Sequence, residues 1–121
     1  MDIQDLKTYI KDNNKKRVED FLSPLHPSDI AKILNDLEDN EQVVIFKSLP
    51  PEIASEVLLE VAEHTREMLV SSISDAELIE VVDEMATDDA ADVIAELPAE
   101  DAETVLDGIG WEGGAEVRKL L

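Results

Sequence analysis

The most regular feature of the chain is an apolar position that returns at every twelfth place over most of its length. The residues in this column, called anchors here, are Leu25, Leu37, Leu49, Val61, Ile73, Met85, Leu97 and Ile109. The eighth and ninth residues after each of the first seven anchors are also apolar. Self-similarity at a fixed period is typical of stacked repeats, so the sequence predicts seven 12-residue units across residues 25–109.

Each unit predicts one short α-helix. At 100° per residue, positions 5, 8, 9 and 12 after an anchor share one helix face, and the alternation expected of a strand is absent. Pro27, Pro51 and Pro98 lie where a first-turn proline is tolerated, and Ser74 and Thr87 can cap. Because helices of about ten residues are marginal alone, we expect consecutive units to stack as helical hairpins. The predicted fold is all-α, a superhelical, α-solenoid-like array of short helices.

The ends of the chain differ from the array. Residues 1–24 predict two leading helices, and the glycines within residues 108–114 predict a break before a last helix from about Ala115 to Leu121. We therefore expect one domain over residues 1–121, divided into residues 1–24, 25–109 and 110–121. The last helix ends on apolar residues, which suggests that the native chain continues into another domain.

The composition narrows the possible partners. The 121 residues include 10 Lys plus Arg and 30 Asp plus Glu, for a net charge of −20. This charge excludes nucleic acid as a direct partner and argues against an anionic membrane surface. The hydrophobic content of 44% is enough for a core, and the absence of cysteine excludes disulfides and zinc-thiolate sites. Without a signal-peptide pattern or a long apolar run, we expect a soluble cytoplasmic domain.

The negative charge is concentrated in the repeat array. Residues 1–24 are neutral overall, whereas the 51 residues between Arg66 and Arg118 contain 16 carboxylates and no Lys or Arg. Within that stretch Asp88, Asp92 and Glu96 are spaced by four and share one helix face that points away from the predicted core. A bound cation or a basic partner would relieve their repulsion, and carboxylates suit Mg²⁺ or Ca²⁺. The alternative is that these acids form a solvated face without a ligand and are present because the helix dipole favours negative charge near the N-terminus.

An enzyme is not indicated. The two histidines, His26 and His64, are far apart in sequence, and the glycines lack the lysine and the preceding strand of a phosphate loop. No constellation of carboxylates suggests a catalytic cleft. We therefore expect neither catalysis nor a small-molecule substrate.

Three runs of the sequence resemble a known family. They are Leu25 to Ala31 ("LHPSDIA"), Leu49 to Leu58 ("LPPEIASEVL") and Thr87 to Pro98 ("TDDAADVIAELP"). Their order and 12-residue phasing resemble the N-terminal cytoplasmic domain of MgtE-type magnesium transporters, over roughly residues 5–121. The resemblance implies a superhelical domain at the cytoplasmic face of the cell membrane. In the full-length protein, a homodimer, this domain precedes a CBS domain pair and a transmembrane Mg²⁺ channel.

The resemblance also implies a regulatory metal. The family's ligands fall on Asp88 and Asp92, with Asp89 adjacent, and on Glu56. Mg²⁺ would bridge these carboxylates to the CBS domains when it is abundant and favour pore closure. We expect weak or absent binding in this chain alone, because the other half of each site lies elsewhere. A rival hypothesis is a protein-interaction scaffold, similar in style to flagellar motor switch proteins, whose acidic face docks a basic partner without metal.

Overall fold

The computed structural model describes residues 2–109 and 111–121, with side chains over residues 2–109 and 115–121. Within these residues the chain forms ten helices and no strand, which confirms the predicted all-α array. The helices are α1 (Ile3–Lys11), α2 (Lys15–Leu22), α3 (Pro27–Leu34), α4 (Asp39–Lys47), α5 (Pro51–Glu60), α6 (Glu63–Ser72), α7 (Asp75–Asp83), α8 (Thr87–Ala95), α9 (Ala99–Gly108) and α10 (Trp111–Leu120).

The starts of the helices show that the 12-residue repeat covers more of the chain than the sequence indicated. From Ile3 to Trp111, each helix begins at the twelfth position after the start of the previous one. The two leading helices, which we expected to precede the array, therefore follow its register. In α2 the core positions are filled by Val18, Phe21 and Leu22, all buried. The anchor position before α2 is occupied by Asn13, whose φ of 55° starts a tight turn, so the anchor column could not reveal this unit.

Local signals explain why each helix begins where it does. Asp2 and Asn14 cap α1 and α2 by accepting hydrogen bonds from the backbone of the first turn. Capping boxes start α4 and α7, the latter through Ser74 and Glu77. Prolines occupy the first helical positions of α3 and α5, where no backbone donor is needed. Such start signals recur along the chain and keep the helices in their common register.

The first compact unit comprises Met1–Leu69. In it α1 packs against α2 and α4, and α3 packs chiefly against α5. The anchors alternate in burial: Leu37 and Val61 are buried, whereas Leu25 and Leu49 are only half-buried. The environment therefore repeats every two helices in this unit, although the sequence pattern repeats every helix.

The second compact unit comprises Val70–Leu121. In it α7 packs against α9, and α10 packs against both α8 and α9. Gly108, at the end of α9, lies against the side chain of Ile79 on α7, and an added Cβ there would meet that side chain. The aliphatic core predicted from the low aromatic content is present, with Leu78, Ile94 and Val105 almost inaccessible to solvent.

The last helix differs from the sequence-based expectation. We expected a break over residues 108–114 and a helix from about Ala115, but α10 already begins at Trp111. Its start follows the register of the other helices, which overrides the low helix propensity of Gly113 and Gly114. Gly110 lies outside the described residues. In the described part of the chain, no helix is long and apolar enough to cross a membrane.

Candidate cation-binding surface

The carboxylates singled out in the sixth unit lie on α8. Ala86 is the extended residue before this helix, and Asp88 and Asp89 are in its first turn, where the helix dipole favours acids. The buried face of α8 is formed by alanines and β-branched residues: Ala90, Ala91, Val93 and Ile94. Asp88 and Asp92 project from the opposite side and are exposed, whereas Asp89 is half-buried beside them.

Asp88 and Asp92 form an aligned pair of like charges. Residues four apart on a helix are neighbours, with Cβ atoms about 5–6 Å apart, and like charges at this spacing destabilise the helix slightly. Within the described residues neither carboxylate accepts a hydrogen bond or contacts a basic side chain. The α8 pair, meaning Asp88 and Asp92, therefore carries negative charge that its own compact unit leaves uncompensated.

A second pair with the same spacing shows the opposite arrangement. Glu103 and Asp107 on α9 both contact the guanidinium of Arg118 on α10, whose Nη2 lies 3.2 Å from Glu103 Oε2 and 3.2 Å from Asp107 Oδ1. The hydrogen bond and charge of Glu103, with a smaller contribution from Asp107, raise the pKa of Arg118. The fold thus offsets one of the two negative charges of this i, i+4 pair with a resident cation. Sequence reasoning missed this cluster, because nothing in the pattern placed α10 beside α9.

Another contact brings α10 to the beginning of α8. Thr87 Oγ1 donates a hydrogen bond to Glu116 Oε2 at 3.4 Å. Thr87 was expected to cap α8, but Ala86 occupies the cap position and the hydroxyl reaches α10 instead. Glu116 therefore adds one more exposed carboxylate at the N-terminal end of α8.

Glu56 lies in the other compact unit. It is exposed on α5, between the buried residues Ser55 and Val57, as its outward phase predicted. Together with His26 and Glu60 it lines an open cleft of about 370 Å³. The structure therefore places Asp88, Asp89 and Asp92 together on one helix, and Glu56 on a separate unit.

The carboxylates on α8 are the kind of ligand that Mg²⁺ prefers, but they are too few to complete a site by themselves. Mg²⁺ prefers oxygen ligands, usually takes one or two carboxylates, and keeps several waters. The α8 pair supplies two such carboxylates. Among the described residues, however, no group of three or more His, Asp or Glu side chains is arranged to hold a metal ion. Any Mg²⁺ held by the α8 pair would need its remaining ligands from water or from another domain.

Comparisons with known proteins agree with the fold. Residues 25–121 match the family described as the MgtE intracellular N domain. A crystal structure described as the soluble part of a magnesium transporter shares the fold, with a TM-score of 0.80 at 17% sequence identity. That match covers 98% of this chain but only 47% of the other chain, so this chain spans about half of that length. No curated protein matches. Because the family match covers most of the sequence, the chain belongs to the family of MgtE intracellular N domains.

Proposed function

We propose that this chain is the Mg²⁺-sensing domain of a magnesium transporter, at the cytoplasmic face of the membrane. The α8 pair, with Asp89 beside it, and Glu56 are the proposed ligand carboxylates on this side of the interface. Mg²⁺ would supply a divalent charge that two acidic surfaces can share. The partners would be the CBS domain pair and the transmembrane channel of the same full-length protein, working as a homodimer.

The observation that carries the proposal is the exposed and uncompensated α8 pair. Its carboxylates repel each other, and their own compact unit places its guanidinium on a different pair, Glu103 and Asp107. Family membership supplies the context, because the chain belongs to the MgtE intracellular N domains and shares its fold with the soluble part of a magnesium transporter. A partial donor set favours a site completed by a neighbouring domain over one enclosed within this chain.

Gating would follow from charge. When the α8 pair and the opposing acidic surface face each other without a cation, they repel, and the domains separate. When the carboxylates share a divalent ion, the repulsion is replaced by attraction, and the closed arrangement gains stability. The ion can shift the equilibrium between the two arrangements by no more than the difference in its affinity for them. Several weak sites acting together would make the response to Mg²⁺ concentration steep.

The test uses the full-length transporter that carries this domain, with limited proteolysis followed across a Mg²⁺ titration. We expect Mg²⁺ to protect the linkage after this domain, and Asp88→Asn with Asp92→Asn to shift the protection midpoint to higher Mg²⁺. The matched control is Glu80→Gln on α7 with Glu84→Gln at the C-cap of the same helix, which removes the same charge at the same spacing from exposed positions of the same compact unit. Equal midpoints for the two double variants would contradict the assignment of these ligands.

A second measurement separates metal sensing from a scaffold that docks a basic partner. Ion-specific protection by Mg²⁺, beyond that given by Na⁺ at equal ionic strength, supports a metal-bridged interface. Protection that depends on ionic strength alone indicates screening of the acidic surface and favours the scaffold.

A further inference from the structure

A cavity in the first compact unit has a chemistry unlike the rest of this acidic chain. It has a volume of about 230 Å³ and lies among α1, α2 and α4. Its polar lining comes from Tyr9, Asn13, Asn14, Lys15, Lys47 and Ser48. Its apolar lining comes from Ile10, Val18 and Val44. We call it the lysine cavity.

The charge of the lysine cavity runs against the charge of the chain. Acids outnumber bases by 30 to 10, yet no carboxylate lines this cavity, whereas the cleft beside α5 is lined by Glu56 and Glu60. Lys15 and Lys47 come from different helices, and both are exposed. Neither ammonium forms an ion pair with any of the described residues. Both lysines therefore border one concave site that no carboxylate lines.

A third base stands at the edge of the same site. The guanidinium carbon of Arg17 lies 5.9 Å from the ring centroid of Tyr9, in the range of a cation–π contact. Lys15, Lys16 and Arg17 are consecutive at the start of α2, and this first turn contains no acid. Three neighbouring positive charges repel one another, and bases in a first turn oppose the helix dipole.

The lining indicates what would bind. Two ammonium groups offer charge-assisted hydrogen bonds to an oxyanion, and the Tyr9 and Ser48 hydroxyls and the amide of Asn13 can add neutral ones. Within the described residues the Asn13 side chain makes no hydrogen bond. The apolar lining suits a small hydrocarbon or aromatic body attached to the anion. A volume of about 230 Å³ is below the range of drug-sized sites, about 300–1,000 Å³, so the ligand is small.

We propose that the lysine cavity is a binding site for a small organic phosphate, whose oxyanion contacts Lys15 and Lys47 and whose body contacts the apolar lining. The site lies on the first compact unit, does not involve the α8 pair, and does not depend on the proposed function.

The experiment is a ligand titration of the 121-residue chain followed by backbone amide NMR, at constant ionic strength and without divalent ions. The probes are phenyl phosphate and inorganic phosphate. We expect saturable shifts in α1, α2 and the end of α4, with phenyl phosphate several-fold tighter because its ring removes apolar surface from water. Lys15→Gln and Lys47→Gln should each weaken binding about tenfold, the loss expected for one charge-assisted hydrogen bond.

The control variant is Lys32→Gln, which removes an exposed lysine of the same compact unit that lies outside the cavity, and it should bind like the parent. Circular dichroism melts establish that all three variants are folded. Three results would overturn the proposal: shifts that do not saturate, equal affinities for the two phosphates, or losses of equal size in Lys32→Gln and the cavity variants.

Discussion

Gln42 and Arg66 lie two repeat units apart and donate hydrogen bonds to equivalent pairs of backbone carbonyl oxygens. Gln42 Nε2 contacts the carbonyl oxygens of Leu34 and Leu37 at 2.7 and 3.1 Å. Arg66 Nη1 contacts those of Leu58 and Val61, both at 3.5 Å. In each case one acceptor is in the last turn of the preceding helix and the other follows the end of that helix, a region in which backbone carbonyl groups run out of helical donors. A polar side chain at the fifth position after an anchor therefore serves the C-terminus of the helix before it.

The first prediction concerns Gln42, which is 8% exposed. Gln42→Met should destabilise the chain by about 1–2 kcal/mol, since two carbonyl groups lose a donor. The loss is limited, because Gln42 Oε1 is itself buried without a hydrogen-bond partner among the described residues and the substitution removes it. Gln42→Glu should lower the stability by about 3 kcal/mol or more at pH 7, because it places a buried carboxylate against two backbone carbonyl oxygens.

Urea unfolding at pH 7 and at pH 4 checks this order. The excess cost of Gln42→Glu over Gln42→Met should shrink at the lower pH, where the introduced carboxyl is protonated and can donate. A Gln42→Met variant as stable as the parent chain would mean that the amide donors of Gln42 do not support the preceding helix.

The second prediction tests the equivalence of the two positions. Arg66→Gln should keep most of the stability of the parent chain, because glutamine at the corresponding position of α4 reaches both carbonyl oxygens. Arg66→Leu should cost about 1 kcal/mol, since it leaves the carbonyl groups of Leu58 and Val61 without this donor. Chemical denaturation of both variants measures the difference. If Arg66→Gln is no more stable than Arg66→Leu, the donor role of this position is wrong.

The third prediction separates the two members of the α8 pair. Asp92→Asn should stabilise the chain by about 0.2–0.5 kcal/mol at low ionic strength, because it removes an aligned like-charge neighbour. Asp88→Asn should bring no comparable gain, since this residue is in the first turn, where the helix dipole favours a negative charge. Thermal melts in 10 mM and 500 mM NaCl provide the measurement. A gain for Asp92→Asn that persists unchanged at high salt would not come from this repulsion.

The fourth prediction concerns the contacts of Arg118 with Glu103 and Asp107. Arg118→Gln should lower the melting temperature at low ionic strength, and the difference from the parent should nearly vanish in 1 M NaCl, since the groups are exposed. Lys119→Gln is the matched control, because it removes a neighbouring exposed charge that makes no ion pair within the described residues. Equal losses in the two variants would show a general charge effect.

The pH dependence of this contact follows from the direction of the shift. The pKa of Arg118 is raised by Glu103, so the stabilisation is fully present below the unfolded-state value and is lost only as pH rises through the folded-state value. That window is strongly alkaline. Between pH 6 and pH 9 the difference between Arg118→Gln and the parent should therefore stay constant.

The helices were predictable because their core positions repeat. The apolar columns marked α3 to α9 directly, and the recurrent prolines and caps marked their first residues. The helix α2 was predicted, but its place in the repeat was not, because its anchor position is Asn13 even though Val18, Phe21 and Leu22 occupy the core positions. The start of α10 was misjudged because glycine propensity was weighed above register, and helix packing overrides propensity.

For the candidate site, the sequence could predict only which side of its helix each carboxylate faces. A helical wheel places Asp88, Asp92 and Glu56 on outward faces, and all three are exposed. Their role as ligands stays a prediction, because it depends on groups outside this chain. The contact of Arg118 with Glu103 and Asp107 could not be predicted, since a helical wheel gives the direction of a side chain but not the identity of the helix beside it.

In the first compact unit the structural repeat is a pair of helices rather than a single helix. Gln42 and Arg66 make equivalent contacts two helices apart, and burial alternates along the anchors Leu25, Leu37, Leu49 and Val61. If evolution duplicated or deleted two consecutive helices there, each remaining side chain would keep the same burial and the same kind of neighbouring helix. The insertion or loss of a single helix would preserve the register but exchange the two kinds of helix. Gains and losses among relatives should therefore come as pairs of helices.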